Sequence, residues 1–133
     1  MAAEHTYDYA IVRLVPRVER GERINVGVIL ACTDHDFLGC RIVLDRARVL
    51  AIDPDVDIEE VERVLATFNA VCAGGAGSGP IGELPWRERL RWLSSPRSTM
   101  VQPSEVHTGR TSDPAATLEK LADKLVRTAR LRL

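Results

Sequence analysis

Hydrophobic and polar positions alternate residue by residue over the first third of the chain. From Thr6 to Arg17, Tyr7, Tyr9, Ile11, Arg13 and Val15 fall on one side, and Asp8, Ala10, Val12, Leu14 and Pro16 on the other, as in a strand. Pro16 cannot donate to a ladder and marks an edge or the strand's end. A second run, Arg23 to Leu30 and on to Cys32, is rich in β-branched residues and bounded by the turn formers Arg20-Gly21-Glu22 and Thr33-Asp34-His35-Asp36. Strict alternation places Ile24, Val26, Val28, Leu30 and Cys32 on an apolar face, and Asn25, Gly27, Ile29 and Ala31 on a mixed one. A third strand, about Phe37 to Asp45, turns Leu38, Cys40, Ile42 and Leu44 to the core. The chain is organised around this meander, Tyr7 to Asp45.

The period then changes. Arg46 to Ile52 fits a strand end or a short helix. Beyond it, Asp57 suits a helix cap, Glu60 stands in capping-box relation, and Val56 and Val61 fit a hydrophobic staple. Ile58, Val61, Val64, Leu65, Phe68, Val71 and Cys72 recur at helical spacing until Gly74-Gly75 stops the helix. The glycine-rich stretch 74–83 predicts a flexible loop, either linker or lid; it follows a helix and lacks Gly-Lys-Ser/Thr, which excludes a phosphate-binding loop. Leu84 to Ser94 predicts a short helix with Trp86, Leu90 and Leu93 on one face and Arg87 and Arg91 on another. Arg97 to Val106 reads as a returning strand, or as an extended segment interrupted by Pro103. Asp113 and Pro114 then open a last helix. Its stripe is Leu118, Leu121, Ala122, Leu125, Val126 and Ala129, and Arg127, Arg130 and Arg132 sit at its negative end.

This order predicts one α+β domain over residues 1–133: an antiparallel sheet of about four strands, a three-stranded meander plus a returning strand, with helices mainly on one face. That face bears Val26, Val28, Ile42 and Leu44. The opposite face carries Tyr9, Ile11, Arg13, Asn25, Gly27, Ile29, Arg41 and Val43, a mixture too apolar for open solvent. A chain segment, a second copy, another protein or a ligand would cover it.

Composition narrows the function classes. A formal charge of -1 excludes whole-molecule attraction to nucleic acid or membrane, so such a partner would need a local patch. Lys120 and Lys124 are the only lysines, so the positive charge is carried by guanidinium groups suited to carboxylate or phosphate. No apolar run approaches membrane-spanning length and the N-terminus lacks signal-peptide character, which predicts a cytoplasmic protein. Cys32, Cys40 and Cys72 show no paired spacing for zinc or a disulfide framework, so no metal or cofactor is expected and reduced thiols are. Cys32 and Cys40 flank one turn and could approach each other across it.

Tyr7-x-Tyr9-x3-Arg13-x2-Pro16, Gly21-Glu22-x2-Asn25-Val26-Gly27-Val28, Ser95-Pro96-Arg97, Gln102-Pro103-Ser104, His107-x-Gly109 and Asp113-Pro114 before a Leu-rich helix follow one another in order. Together they resemble the bacterial family "domain of unknown function 3037", from Tyr7 to Val126. The resemblance brings no reaction. It implies one partner class, since members look to be encoded near HipA-like serine/threonine kinases.

The motif residues form two groups. Arg13 and Asn25 lie on the mixed face, with Gly27 leaving room for close approach, while Arg97, Gln102, His107 and Arg110 surround the returning strand. If that strand lies beside the first hairpin, all could converge on a pocket for an anion or carboxylate. Each also has a structural reading: Arg13 paired with Glu22 or Asp8, Asn25 holding a turn, His107-Thr108-Gly109 forming a tight turn. His107 is the one plausible general base, with Arg97 stabilising negative charge. His35 between Asp34 and Asp36 suits solvated polar residues better than a metal site, and the serines lack nucleophile-elbow glycines. The preferred reading is a non-catalytic protein-interaction or regulatory module, with a homo-oligomer also open. A small-ligand or enzymatic site comes second. Nucleic-acid binding through Trp86, Arg87, Arg89 and Arg91 comes third.

Overall fold

A computed structural model describes residues 3–128. Strands β1 (His5–Leu14), β2 (Ile24–Cys32) and β3 (Phe37–Ile42) form the meander, with a 3₁₀ turn at Thr33–His35 between the last two. Helices α1 (Arg46–Ile52), α2 (Ile58–Ala73), α3 (Gly79–Gly82) and α4 (Trp86–Ser94) follow, then β4 (Val101–Pro103), β5 (His107–Thr111) and α5 (Pro114–Leu125). The sheet is antiparallel, in the order β3-β2-β1-β4, with β5 also on β1. The fold is α+β, as the element order predicted.

The returning strand is two strands. Val101 to Pro103 lie opposite Leu14 to Val12, and His107 to Thr111 lie opposite Tyr9 to His5. Between them Ser104 takes over the ladder: its N–H donates to the Ile11 carbonyl at 2.8 Å, and its Oγ accepts the Ile11 N–H at 2.8 Å. His107-Thr108-Gly109 is therefore strand, not a tight turn.

A β-bulge overturns the predicted alternation in β2. Val12 faces Gly27 but Arg13 faces Asn25, which leaves Val26 as an extra residue. The chain changes parity there. Ile24, Val26, Gly27 and Ile29 share one face with Val12 and Leu14, while Asn25, Val28 and Leu30 share the other with Ile11 and Tyr9. Relative to Ile24 and Val26, every β2 residue from Gly27 to Cys32, Ile29 and Leu30 included, thus lies on the face opposite to the one simple alternation gave it.

The first face packs on α1, α2 and α4 through Val49, Val61, Leu65, Phe68 and Leu93. Most of the helices lie on this side. The mixed face is covered by the chain's own last helix, where Leu118 and Val126 close over Val28, Leu30 and Cys32.

Capping explains where the helices start. Asp45, Asp57 and Asp113 side chains accept the backbone N–H groups of Arg48, Glu60 and Ala116 at 3.1–3.3 Å. Arg46 to Ile52 is thus a helix. The glycine-rich stretch is half loop, with positive φ at Gly74, Gly75, Gly77 and Gly79, and half the single turn α3. Ala129, Arg130 and Arg132 of the predicted last helix lie outside the described residues.

Candidate functional site

Strand pairing sets Asn25, Arg13 and Gln102 side by side across β2, β1 and β4 on the α5 face. Asn25 Nδ2 donates to the Leu125 carbonyl at 3.0 Å, joining the bulged strand to the end of α5. Gln102 Nε2 donates to the Thr99 carbonyl at 2.8 Å. Arg13 is half-buried and has no hydrogen bond or ion pair among the described residues. It does not pair with Glu22 or Asp8.

The other predicted site residues lie elsewhere. Gly27 is on the opposite face, where an added Cβ would fall 2.5 Å from Ile42 Cδ1 and 2.9 Å from the Arg41 carbonyl oxygen. Arg97 is beyond that face, its guanidinium over the Phe68 and Trp92 rings and its Nη1 and Nη2 donating to the carbonyls of Trp92, Leu93 and Ser95 at the end of α4. Burial pushes its pKa down. His107 shares the face of Arg13 but stacks on Tyr9, with ring centroids 5.3 Å apart. Tyr9 and Arg13 are four residues apart on β1, about 13 Å. Arg110 lies opposite Thr6 on the other side of the sheet and donates to the Glu4 carbonyl at 3.1 Å. One pocket holding all seven residues is therefore not formed. His107 has no hydrogen-bonded nucleophile or carboxylate among the described residues, and described His, Cys, Asp and Glu side chains form no cluster of three able to hold a metal.

The helix residues of the nucleic-acid reading also divide. Arg87 is exposed, 5.6 Å above the Trp86 ring, and Arg91 is exposed. Arg89 caps α2 instead, its Nη1 donating to the carbonyls of Val71 and Cys72 at 3.0 and 2.8 Å.

A feature that alternation could not disclose is the open edge of the sheet. β3 pairs only with β2 among the described strands. The Val43 N–H donates to the Val26 carbonyl, so by the alternation of an antiparallel ladder the odd-numbered residues bond inward. Leu38, Cys40 and Ile42 direct their backbone groups outward. α2 and α5 flank this edge and leave a groove of about 430 Å³ lined by Leu38, Cys40, Asn69, Cys72, Ala115 and Leu118. At Asn69 it meets a second hollow of about 230 Å³ beside Ile42, Leu44 and Leu65. No proline interrupts the edge and Arg41 is its one charged residue, held by Glu119 at 2.7 Å. Sheet edges of this kind are usually blunted by charge, proline or a covering segment.

Residues 9–126 match the family described as protein of unknown function (DUF3037). The chain belongs to this family. No curated protein and no solved structure matches it. In this DUF3037 chain, several residues that carried the resemblance have work in the fold itself. Gly109 lies beneath Tyr7, whose Cζ and Oη would be 2.5 Å from an added Cβ. Gly27 follows the bulged Val26, Ser104 bridges two strands, Arg97 ends α4 and Asp113 starts α5.

Proposed function

We propose that this DUF3037 protein is a non-catalytic protein-interaction module that adds an extended segment of a partner to its sheet along β3. The open β3 edge carries the reading. Main-chain hydrogen bonds at Leu38, Cys40 and Ile42 supply affinity, and the apolar hollows beside Asn69 select side chains. A bacterial, cytoplasmic setting belongs to this reading, as does the HipA-like kinase that the family resemblance suggests as first partner to test. No described helix is long and apolar enough to cross a membrane.

Leu38→Pro tests it, because proline removes an N–H that points away from β2 and leaves the β2–β3 ladder intact. With the co-expressed kinase, native mass spectrometry should show a complex for wild type and Leu38→Ala but not for Leu38→Pro. Hydrogen exchange should slow at Leu38, Cys40 and Ile42 when the partner binds. A complex in which these amides exchange at their free rate would place the interface elsewhere.

A second reading is favoured by one observation: Arg13, unpaired among the described residues, lies between Asn25 and Gln102. This row suits a carboxylate or other small anion. Arg13→Gln should then abolish anion binding measured by calorimetry without changing the fold.

A further inference from the structure

The groove beside β3 holds two thiols. Cys40 extends from the middle of β3 and Cys72 from the last turn of α2, and both line the same opening. Both side chains also pack into the one apolar cluster between the sheet and α2. Cys32, the third cysteine, lies on the opposite face under α5, so it does not approach Cys40 across the turn.

We infer that Cys40 and Cys72 form an oxidisable dithiol in which a hydroperoxide closes an intrachain disulfide between the sheet edge and the end of α2.

The surroundings assign different roles to the two sulfurs. The hydrogen bond from Cys40 lowers the Cys72 pKa, and the Arg89 charge lowers it further, against the upward push of burial. Arg89 also donates to the Cys72 carbonyl, so it offsets the negative end of α2, where a thiolate would otherwise be disfavoured. Cys40 moves the other way, raised by its hydrogen bond to Cys72 and then by burial. With the Arg89 guanidinium donating to its own carbonyl, Cys72 is assigned as the attacking thiolate and Cys40 as the resolving thiol.

The steps balance. Cys72 gives its proton to solvent, and its sulfur attacks the distal peroxide oxygen. An S–O bond forms and the O–O bond breaks, and the departing alkoxide takes a proton to become an alcohol. The resulting sulfenic acid is then attacked by Cys40: an S–S bond forms, the S–O bond breaks, and hydroxide leaves with the Cys40 proton as water. The two thiols lose two electrons and the hydroperoxide gains them. The link anchors the edge strand to α2 and closes a chain loop from Cys40 to Cys72, which restricts the unfolded chain.

The experiment is mass spectrometry of the whole chain exposed to hydrogen peroxide while folded, then unfolded in denaturant and alkylated at its remaining thiols. The expected product has lost two hydrogens, carries one alkyl group on Cys32, and yields on digestion a Cys40–Cys72 crosslinked peptide that dithiothreitol separates. In Cys40→Ser the reaction should stop at a Cys72 sulfenic acid that dimedone traps. Full alkylation of Cys40 and Cys72 after peroxide, or a crosslink through Cys32, would overturn the inference. All of this is read on the bare chain, so it stands apart from partner docking at β3.

Discussion

The guanidinium carbon of Arg97 lies 4.4 Å from the centre of the Trp92 ring. The same group lies 5.1 Å from the Phe68 ring centre and donates to the carbonyls that end α4. One side chain thus closes a helix and roofs part of the core. Its planar fork suits both tasks, and a lysine ammonium would supply one donor cluster without the stacking surface. Arg97→Ala should destabilise the fold by about 2–3 kcal/mol, and Arg97→Lys by more than half of that. Urea denaturation of the two variants checks this. Unchanged midpoints would return Arg97 to the list of residues free to bind a ligand.

The three meander strands, the capped helices and their order were legible because each rests on local chemistry: alternation, an Asp at the cap, Gly or Pro at a boundary. What escaped was set by pairing between distant segments. The bulge at Val26 is defined by pairing with β1, where Val12 faces Gly27 and Arg13 faces Asn25, and nothing in Asn25-Val26-Gly27-Val28 itself states which residue is extra. The candidate site suffered accordingly. Arg13 and Asn25 shared the predicted mixed face, and pairing through β1 sets Gln102, read as part of the group around the returning strand, beside them. Arg97 was placed in that second group by proximity in sequence to Gln102, but its guanidinium lies over the Trp92 and Phe68 rings instead. The open edge of β3 was invisible because it depends on β4 and β5 both joining β1 rather than β3.

Ser104 offers a sharp test of how the two returning strands are joined. Its hydroxyl accepts the Ile11 N–H and donates to the Glu105 carbonyl at 2.8 Å, and the residue is 5% exposed. Ser104→Ala would leave a buried backbone N–H without its acceptor. A loss of about 1–3 kcal/mol is expected. In hydrogen exchange the Ile11 amide should lose protection more than its β1 neighbours do. Equal protection across β1 in the variant would mean that the hydroxyl is not the acceptor that matters.

Gly27 tests the bulge. A methyl group there meets Ile42 Cδ1, which can rotate, but also the Arg41 carbonyl oxygen, which is held in the β2–β3 ladder. Gly27→Ala should therefore cost about 1–3 kcal/mol through overpacking. Combining it with Ile42→Val removes the softer of the two contacts and should recover part of the loss. No recovery would assign the whole effect to the backbone contact.

The pH dependence of stability should pass through Glu119. Its carboxylate meets Arg127 Nη1 at 2.6 Å and Arg41 Nε at 2.7 Å, so α5 is clamped to β3 and to the segment after α5. The hydrogen bond from Arg127 is the largest influence lowering its pKa, burial opposes it, and the bond from Arg41 adds to the lowering. A carboxyl whose folded pKa lies below its unfolded value stabilises the fold above the unfolded value, and that contribution disappears as pH falls through the folded one. The group is solvent-accessible, with 43% of its side-chain surface exposed, so screening holds the effect below about 1 kcal/mol. Wild type should thus exceed Glu119→Gln in stability at neutral pH, and the gap should narrow once pH drops below about 4.3, the ordinary glutamate value. High salt should narrow it as well. Asp123 keeps its own contact with Arg127 at 2.9 Å in the variant, which leaves the end of α5 in place and isolates the link to β3. A gap that stays constant from neutral pH to full protonation would show that packing of the glutamate stem, rather than its charge, is what joins α5 to the sheet.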